Sequence, residues 1–379
     1  MLTRRSFVAH LAVLPLALDP APRVTVVGAG AFGGWTALHL RRLGARVTLV
    51  DAWGPGNARS SSGGETRVIR AVYGADAIYV ELVRRAYELW EQLDPSLYVE
   101  TGVLWMHRGG DGYVRASAPI LREHGFPLET LALADAKRRW PQIDFTGIRS
   151  VWLERRAGVL SARQACVAVR DAFVRAGGTY RTMHVDPDRL PEADATVFAC
   201  GPWLGRLFPE IPIAPTRQEV FFFGTPAGAE TYQPARLPVW IDFGERVFYG
   251  VPDTHGRGFK IADDTRGEAI DPTGMERVPS SEGIARARRL LAERFPALAR
   301  APLVEARVCQ YENSPDGHLI LDRHPSRKNV WIAGGGSGHG FKLAPAVGEL
   351  MARAILSDAK LPEMFALARR AKQKTQFDK

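Results

Sequence analysis

Residues 23–51 read RVTVVGAGAFGGWTALHLRRLGARVTLVD, and this stretch decides the fold. Its β-branched start, Arg23–Val27, predicts a buried strand, and the pattern Gly-x-Gly-x-x-Gly follows at once from Gly28. Helical spacing and a second apolar strand then lead to Asp51. This order of strand, glycine turn, helix, strand and acid predicts a dinucleotide-binding α/β unit.

The three glycines of the turn have different functions. Gly28 permits the tight turn, Gly30 lets the backbone approach a diphosphate, and Gly33 lets the helix pack closely on the strand. The helix start offers free N–H groups and partial positive charge to the phosphates. Asp51, 23 positions after Gly28, is expected to accept hydrogen bonds from the adenosine ribose. A glycine-rich turn that binds no ligand is the alternative.

A second glycine-rich loop near the C-terminus distinguishes between the two common dinucleotide cofactors, FAD and NAD. It spans residues 334–340, and a helix start with Pro345 in its first turn follows. Four of its glycines are predicted to contact the cofactor: Gly335, Gly336, Gly338 and Gly340. Such a helix start can face the pyrimidine end of a flavin, whereas a nicotinamide enzyme has no use for a second cradle. The pattern therefore favours FAD over NAD.

The predicted fold class is α/β, or α+β overall, with a Rossmann-like FAD-binding domain and an inserted, antiparallel β-rich substrate domain. The FAD-binding domain is predicted to be discontinuous, and the substrate domain to fill the two intervals. The boundaries are 21–85, 150–215 and 305–379 for the FAD-binding domain and 86–149 and 216–304 for the substrate domain.

Composition excludes several function classes. The 379 residues are 46% hydrophobic and 24% charged, which is ordinary for a globular protein. The formal charge of +9 is spread along the chain without a basic, aromatic-rich stripe, so nucleic-acid binding is not expected. No apolar run approaches the roughly 18 residues that span a bilayer, and no stable membrane insertion is expected. Three cysteines argue against a disulfide framework, and no cluster with metal-ligand spacing is visible.

Residues 1–20 form a separate segment. Arg4-Arg5 and Phe7 precede a short apolar run, a pattern typical of a twin-arginine export signal. The expectation is export to the periplasm, and the alternative is a disordered basic tail on a cytoplasmic protein.

Several further motifs resemble one known family. They are Gly64-Glu-Thr-Arg67-Val-Ile-Arg70, Thr101-Gly-Val-Leu104, Cys309-Gln-Tyr311, Pro315-Asp-Gly-His-Leu-Ile-Leu-Asp322 and Ser337-Gly-His-Gly-Phe-Lys342. With these motifs the chain resembles the FAD-dependent amine oxidoreductases of the D-amino-acid oxidase superfamily, in particular the sarcosine oxidases and N-methyl-amino-acid oxidases. The resemblance runs from about residue 23 to about residue 360.

The resemblance implies how cofactor and substrate are held. It implies a covalent bond from Cys309 to the flavin 8α-methyl, because Cys309 lies 33 positions before Lys342, as in the family. It implies that Arg70 and Lys342 bind the substrate carboxylate, and two cations on one carboxylate make chemical sense. A core cysteine and a structural ion pair of Arg70 are the alternatives.

The resemblance also assigns four catalytic positions. Lys260 matches the lysine that activates oxygen beside flavin N5. Arg67 matches a second arginine near the flavin, and Tyr249 matches an active-site tyrosine. Asp264 stands where the family has a histidine, a departure that puts the identity of the substrate in doubt. An exposed strand lysine is the alternative for Lys260.

The resemblance implies oxidation of a small secondary or N-methylated amino acid, with oxygen reduced to hydrogen peroxide by a monomeric enzyme. The product is an imine that hydrolyses. One rival is a flavin-dependent amino-acid or amine dehydrogenase that passes electrons to a quinone or other carrier. Another is a flavin-binding protein without catalysis.

Overall fold

The computed structural model describes residues 21–189 and 192–369, and within them strands and helices alternate along most of the chain. The strands in this part, in chain order, are β1 Arg23–Val27, β2 Arg46–Asp51, β3 Thr66–Ile69, β4 Tyr98–Glu100, β5 Val103–His107, β6 Leu128–Leu131, β7 Ser150–Glu154, β8 Gly158–Ser161, β9 Thr179–Thr182, β10 Ala195–Phe198, β11 Ala214–Phe223, β12 Val239–Phe243, β13 Val247–Val251, β14 Phe259–Asp263, β15 Leu303–Asn313, β16 Ile320–Arg323 and β17 Val330–Gly334. The α-helices are α1 Ala31–Arg42, α2 Ala77–Leu93, α3 Gly112–Glu123, α4 Leu133–Arg139, α5 Ala162–Arg175, α6 Leu204–Leu207, α7 Ser281–Arg294 and α8 Ala344–Ser357.

A six-stranded sheet carries the predicted nucleotide unit. Its order is β16-β17-β10-β1-β2-β9, and its pairs are parallel except for β16 with β17. The central strand β1 is buried along Val24–Val27, as expected for a parallel strand covered on both faces. Ligands of such sheets bind at the carboxyl ends of strands where the order reverses, here the end of β1 between β10 and β2. The predicted α/β, Rossmann-like fold is confirmed.

An eight-stranded sheet forms the second layer, in the order β15-β11-β14-β13-β12-β5-β7-β6. The sequence predicted an antiparallel sheet, but β5 and β12 pair in parallel, with Val103 opposite Val239. Strand periodicity is the same in either direction, and the two strands are far apart in the chain, so the sequence pattern could not reveal this pairing. Strands β7 and β15 also belong to this sheet, so the proposed boundaries at 150 and 305 fall within it.

A small three-stranded sheet, β3-β8-β4, holds the segment that carries Arg67. Strand β3 pairs with β8 from Thr66 opposite Ser161 to Ile69 opposite Gly158. The guanidinium carbon of Arg67 lies 5.9 Å from the Phe341 ring centroid, and the Tyr73 hydroxyl lies 3.3 Å from His339 Nδ1, so this segment runs beside the C-terminal glycine loop.

No helix in the described ranges is long and apolar enough to cross a membrane. The possible export signal at 1–20 lies outside those ranges.

Candidate active site

The first glycine turn borders a cleft at the carboxyl end of β1. The cleft has an empty volume of about 1200 Å³, and Gly28, Gly30 and Asp51 line it. A Cβ on Gly33 would lie 1.8 Å from the Gly28 carbonyl oxygen, so only glycine lets α1 approach the strand this closely. A Cβ on Gly30 would meet only Ser62 Oγ, at 3.5 Å, which leaves this backbone open to a ligand.

Asp51 organises the same turn. Its Oδ2 accepts a hydrogen bond of 2.7 Å from the Ala29 N–H, and its Oδ1 accepts bonds of 2.8 and 2.7 Å from the Trp53 and Gly54 N–H groups. The carboxylate thus fixes the turn itself, a function that the sequence did not predict. It still lines the cleft, where a ribose hydroxyl can reach it.

The second glycine loop closes the opposite side of the cleft. Gly336, Gly338 and Gly340 line it, whereas Gly335 is absent from the cleft wall. Gly338 has φ of +82°, and a Cβ there would lie 2.7 Å from the Tyr311 ring. The loop therefore needs glycine to pass against Tyr311. The glycine turn at residues 28–33 and the glycine-rich loop at residues 334–340, predicted from distant parts of the chain, therefore face one cleft.

Two buried polar atoms in the cleft wall test whether FAD fits. Among the described residues, Glu312 Oε2 and Ser61 Oγ have no hydrogen-bond partner, although both side chains line the cleft. Glu312 Oε1 accepts a bond of 3.2 Å from the Gly336 N–H, and burial raises the pKa of this carboxyl to about 8. Unpaired buried polar groups are costly, and a hydroxyl-rich ligand supplies the missing partners. The cleft therefore fits the ribose- and ribityl-bearing cofactor that the glycine loops imply.

A second cavity, with an empty volume of about 770 Å³, lies beside the cleft, and Arg67, Tyr311, Gly338 and Phe341 border both. We call it the cation pocket, because Arg70 and Lys342 line it.

Arg70 and Lys342 are brought together over one aromatic ring. The Arg70 guanidinium carbon lies 4.8 Å and Lys342 Nζ 5.1 Å from the centroid of Tyr73, and both cations are buried. Burial and the charge of Arg70 hold the pKa of Lys342 well below its usual range. Among the described residues neither side chain forms a salt bridge with a carboxylate, so both are available to an anionic ligand, whose charge would favour the protonated form of Lys342.

Three carboxyl groups also line the cation pocket: Glu219 and Asp263, which are paired with Arg217 and Arg246, and Asp264. Asp264 Oδ1 accepts a hydrogen bond of 2.5 Å from the Tyr311 hydroxyl, and burial raises the pKa of Asp264. Tyr249 lines the same pocket, and burial raises its pKa above its usual value. The two predicted residues, Asp264 and Tyr249, therefore share this pocket with Arg70 and Lys342.

Cys309 lines the cation pocket, next to Arg67, which borders both the pocket and the cleft. Its Sγ is 3.8 Å from a terminal nitrogen of Arg67, and the Arg67 guanidinium also donates to the Ser61 carbonyl. A cation beside the sulfur stabilises the negative charge that a thiolate carries when it attacks.

Lys260 lies apart from the cation pocket. It is 2% exposed, and its Nζ donates to the Thr66 carbonyl and hydroxyl at 3.2 and 3.1 Å. It lines a different cavity, which His255 and Thr254 also border. Burial and the charge of Arg67 lower the pKa of Lys260 to about 7. The alternative of an exposed strand lysine is thereby excluded. Lys260 borders a cavity other than the cation pocket, and its Nζ lies 5.4 Å from the ring centroid of Tyr249, which lines that pocket.

Sequence reasoning missed the roles of Tyr73, Glu154, Tyr311 and Glu312. Tyr311 carried a signal, because it is two positions after Cys309 on one strand and so shares its face. Glu154 accepts from the Trp105 indole N–H at 3.3 Å and from the Ala71 N–H, and burial raises its pKa to about 7. Its position near Arg70 depends on the pairing of β5 with β7, which no local pattern indicates. In the described residues, no group of three or more His, Cys, Asp or Glu side chains is placed to hold a metal.

Comparisons with known proteins identify the family of the chain. A model of the family described as "FAD dependent oxidoreductase" matches residues 23–354. Monomeric sarcosine oxidase of Bacillus sp. strain B-0618 is 31% identical over 361 residues, which cover 88% of this chain and 92% of that protein. N-methyl-L-tryptophan oxidase of Salmonella newport is 27% identical and covers 86% and 92%. A solved structure, L-proline dehydrogenase from P. horikoshii, has the same fold, with a TM-score of 0.79 at 22% identity over 94% of this chain and 100% of that one. The resemblance indicated by the motifs is confirmed.

Proposed function

Because the chain belongs to the family of FAD-dependent oxidoreductases, we propose that it oxidises a small secondary or N-methylated amino acid and passes the electrons to oxygen. The products are an imine, which hydrolyses, and hydrogen peroxide. When bound, FAD supplies the hydride acceptor and the link to oxygen.

The observation that carries this proposal is the pair of buried cations on Tyr73. Arg70 and Lys342 supply a planar fork and a point charge for one carboxylate, and the pocket shares its walls with the nucleotide cleft. A carboxylate held there keeps the adjacent C–N unit within the same small cavity. The residues thus bind, orient and desolvate an amino acid beside the cofactor.

The position of Lys260 supports oxygen as the acceptor. Its cation is buried on the side of Thr66, in a cavity that does not include Arg70 or Lys342. A fixed buried cation stabilises an oxygen molecule that gains negative charge. Substrate and oxygen then have separate places in the protein.

Anaerobic mixing of the purified yellow protein with a panel of amino acids tests the function. We expect N-methyl and cyclic amino acids to bleach the flavin absorbance, and the same amines without a carboxylate to act poorly. Readmitted air is expected to restore the colour with one hydrogen peroxide per turnover. Bleaching without peroxide would favour a dehydrogenase that uses another carrier, and no bleaching by any member would exclude the proposal.

We further propose that FAD is bound covalently through Cys309. In acid-precipitated protein the yellow colour is expected to stay with the polypeptide, and Cys309→Ser is expected to release it into the supernatant. The matched control is Cys166→Ser, because burial raises the pKa of the Cys166 thiol to about 12 and makes it inert. Colour that leaves the unmodified protein on acid treatment would contradict the covalent bond.

A further inference from the structure

Asp264 is a half-buried carboxyl group in the cation pocket, where the two other carboxyl groups, Glu219 and Asp263, are already paired with Arg217 and Arg246. It follows β14, where its backbone N–H donates to the Val247 carbonyl at 2.7 Å, so the strand pairing fixes its position. Its Oδ1 accepts from the Tyr311 hydroxyl at 2.5 Å. The side chain lines the cation pocket together with Arg70 and Lys342.

The pocket therefore presents both signs of charge to one ligand. Arg70 and Lys342 suit a carboxylate, and Asp264 suits a cation a short distance away. An α-amino acid carries these two charges on groups bonded to the same carbon atom. A simple carboxylic acid satisfies only the cations, and its apolar end would desolvate Asp264 without supplying a counter-charge, which is costly.

We propose that Asp264 recognises the protonated nitrogen of the substrate and then accepts its proton, so that the pocket takes the zwitterion and generates the neutral amine. This rests on the proposed function. In the step, the N–H bond breaks, an O–H bond forms on Asp264, and the electron pair stays on nitrogen. That pair is what the adjacent carbon needs to release hydride, since an ammonium has none to offer.

The surroundings of Asp264 leave it as the proton acceptor. The titratable and charged groups that line the pocket with it are Tyr311 from β15, Tyr249 from β13, Arg67, Arg70, His339, Lys342, Asp263 and Glu219. Asp263 and Glu219 are paired with Arg246 and Arg217, and burial holds the pKa of His339 well below its usual value, so these three are weaker proton acceptors. Burial raises the pKa of both phenols, so they stay protonated and donate. Arg70 and Lys342 bind the substrate carboxylate and so are not proton acceptors. Burial also raises the pKa of Asp264, which makes its ionised form a stronger base than an exposed carboxylate.

A pair of isosteric ligands tests recognition without turnover. Trimethylglycine and 3,3-dimethylbutanoate have the same shape and carboxylate, but only the first carries a positive charge, and its quaternary nitrogen cannot be oxidised by hydride loss. With the flavin absorbance of the holoenzyme as readout, we expect trimethylglycine to bind at least about tenfold more tightly, as for one close charge pair. In Asp264→Asn the preference is expected to vanish.

The matched control is Asp271→Asn, which removes the same charge from an exposed residue paired with Arg206. It is expected to keep the preference. If Asp264→Asn retained the preference of the unchanged enzyme, the recognition of the charged nitrogen by Asp264 would be excluded.

The pH dependence of anaerobic flavin reduction by N-methylglycine tests the proton step. The unchanged enzyme is expected to lose reduction as the pH falls through the pKa of Asp264, because a protonated carboxyl cannot accept a proton. Asp264→Asn must wait for neutral amine from solution, so its rate is expected to be about 10²-fold lower near neutral pH and to rise about tenfold per pH unit. A pH-independent loss in the variant would overturn the proton transfer.

Tyr311→Phe provides a second variant in case Asp264→Asn does not fold. Without the phenol donor the ionised carboxylate is less stabilised, so the loss of reduction is expected to begin at higher pH. An unmoved profile would contradict the proposal. If no N-alkyl amino acid bleaches the unchanged enzyme, the proposed function is wrong. Binding of the two isosteric ligands still shows whether Asp264 recognises a positively charged ligand.

Discussion

Replacing Lys260 by Met is expected to slow reoxidation of the bound cofactor by oxygen by about 10²- to 10³-fold, the usual effect of losing one preorganised charge at a reacting centre. Methionine has a similar length and no charge, and Lys260 is buried, so the variant removes a costly desolvated cation without opening a large cavity. Flavin reduction by substrate is expected to change by less than about threefold, because Lys260 is not among the residues of the cation pocket. Stopped-flow absorbance measures the two half-reactions separately.

The same lysine predicts a pH effect. Its pKa is lowered to about 7 by burial and by Arg67, so the amine is cationic below that pH and neutral above it. Reoxidation is therefore expected to be fast at low pH and to become slower as the pH rises through the pKa of Lys260. Negative charge close to Nζ would raise this pKa. Lys260→Met is expected to lack this transition, and the exposed Lys328→Met to keep it. Equal slowing of both half-reactions by Lys260→Met would count against the oxygen role.

Replacing Arg70 by Met is expected to weaken binding of carboxylate ligands by about 10²- to 10³-fold, since truncating one partner of a buried charge pair costs about 3 to 4 kcal/mol. The fork of Arg70 lies over Tyr73 and 5.3 Å from the Trp105 ring centroid, so its position is fixed before a ligand arrives. Arg70→Lys keeps the charge without the planar fork, and an intermediate loss is expected. Spectral titration with a short carboxylate measures the carboxylate affinity of the unchanged enzyme, Arg70→Met and Arg70→Lys.

Arg70→Met is expected to fold, because Glu154 can take up a proton when the charge of Arg70 is lost. Burial already raises its pKa to about 7, and removal of Arg70 raises it further, so Glu154 takes up a proton and is not left as a bare charge. Amines without a carboxylate are expected to react with the variant and the unchanged enzyme alike. Arg115→Met, at an exposed arginine over Trp152, is the matched control. Unchanged carboxylate affinity in Arg70→Met would remove this residue from the binding site.

Local sequence patterns were sufficient for the nucleotide unit. The β-branched run Arg23–Val27 became β1 with the same bounds, and the glycines after it took the positions at the turn that the pattern requires. Such features depend on residues close in the chain, so periodicity and glycine spacing carry them directly. The family motifs added Arg70, Lys260, Cys309 and Lys342, which no periodicity singles out.

Only the tertiary structure decided which of these groups meet. Asp264 and Tyr311 are 47 positions apart, and they form a hydrogen bond because β14 and β15 both pair with β11. The parallel pairing of β5 with β12, the placement of Glu154 near Arg70, and the separation of Lys260 from the cation pocket likewise follow from how distant strands are ordered. The sequence by itself determined the kinds of element and the cofactor cradle, because those are set by neighbouring residues. The charge balance of the pocket was set by sheet order, which depends on contacts between segments that no local pattern records.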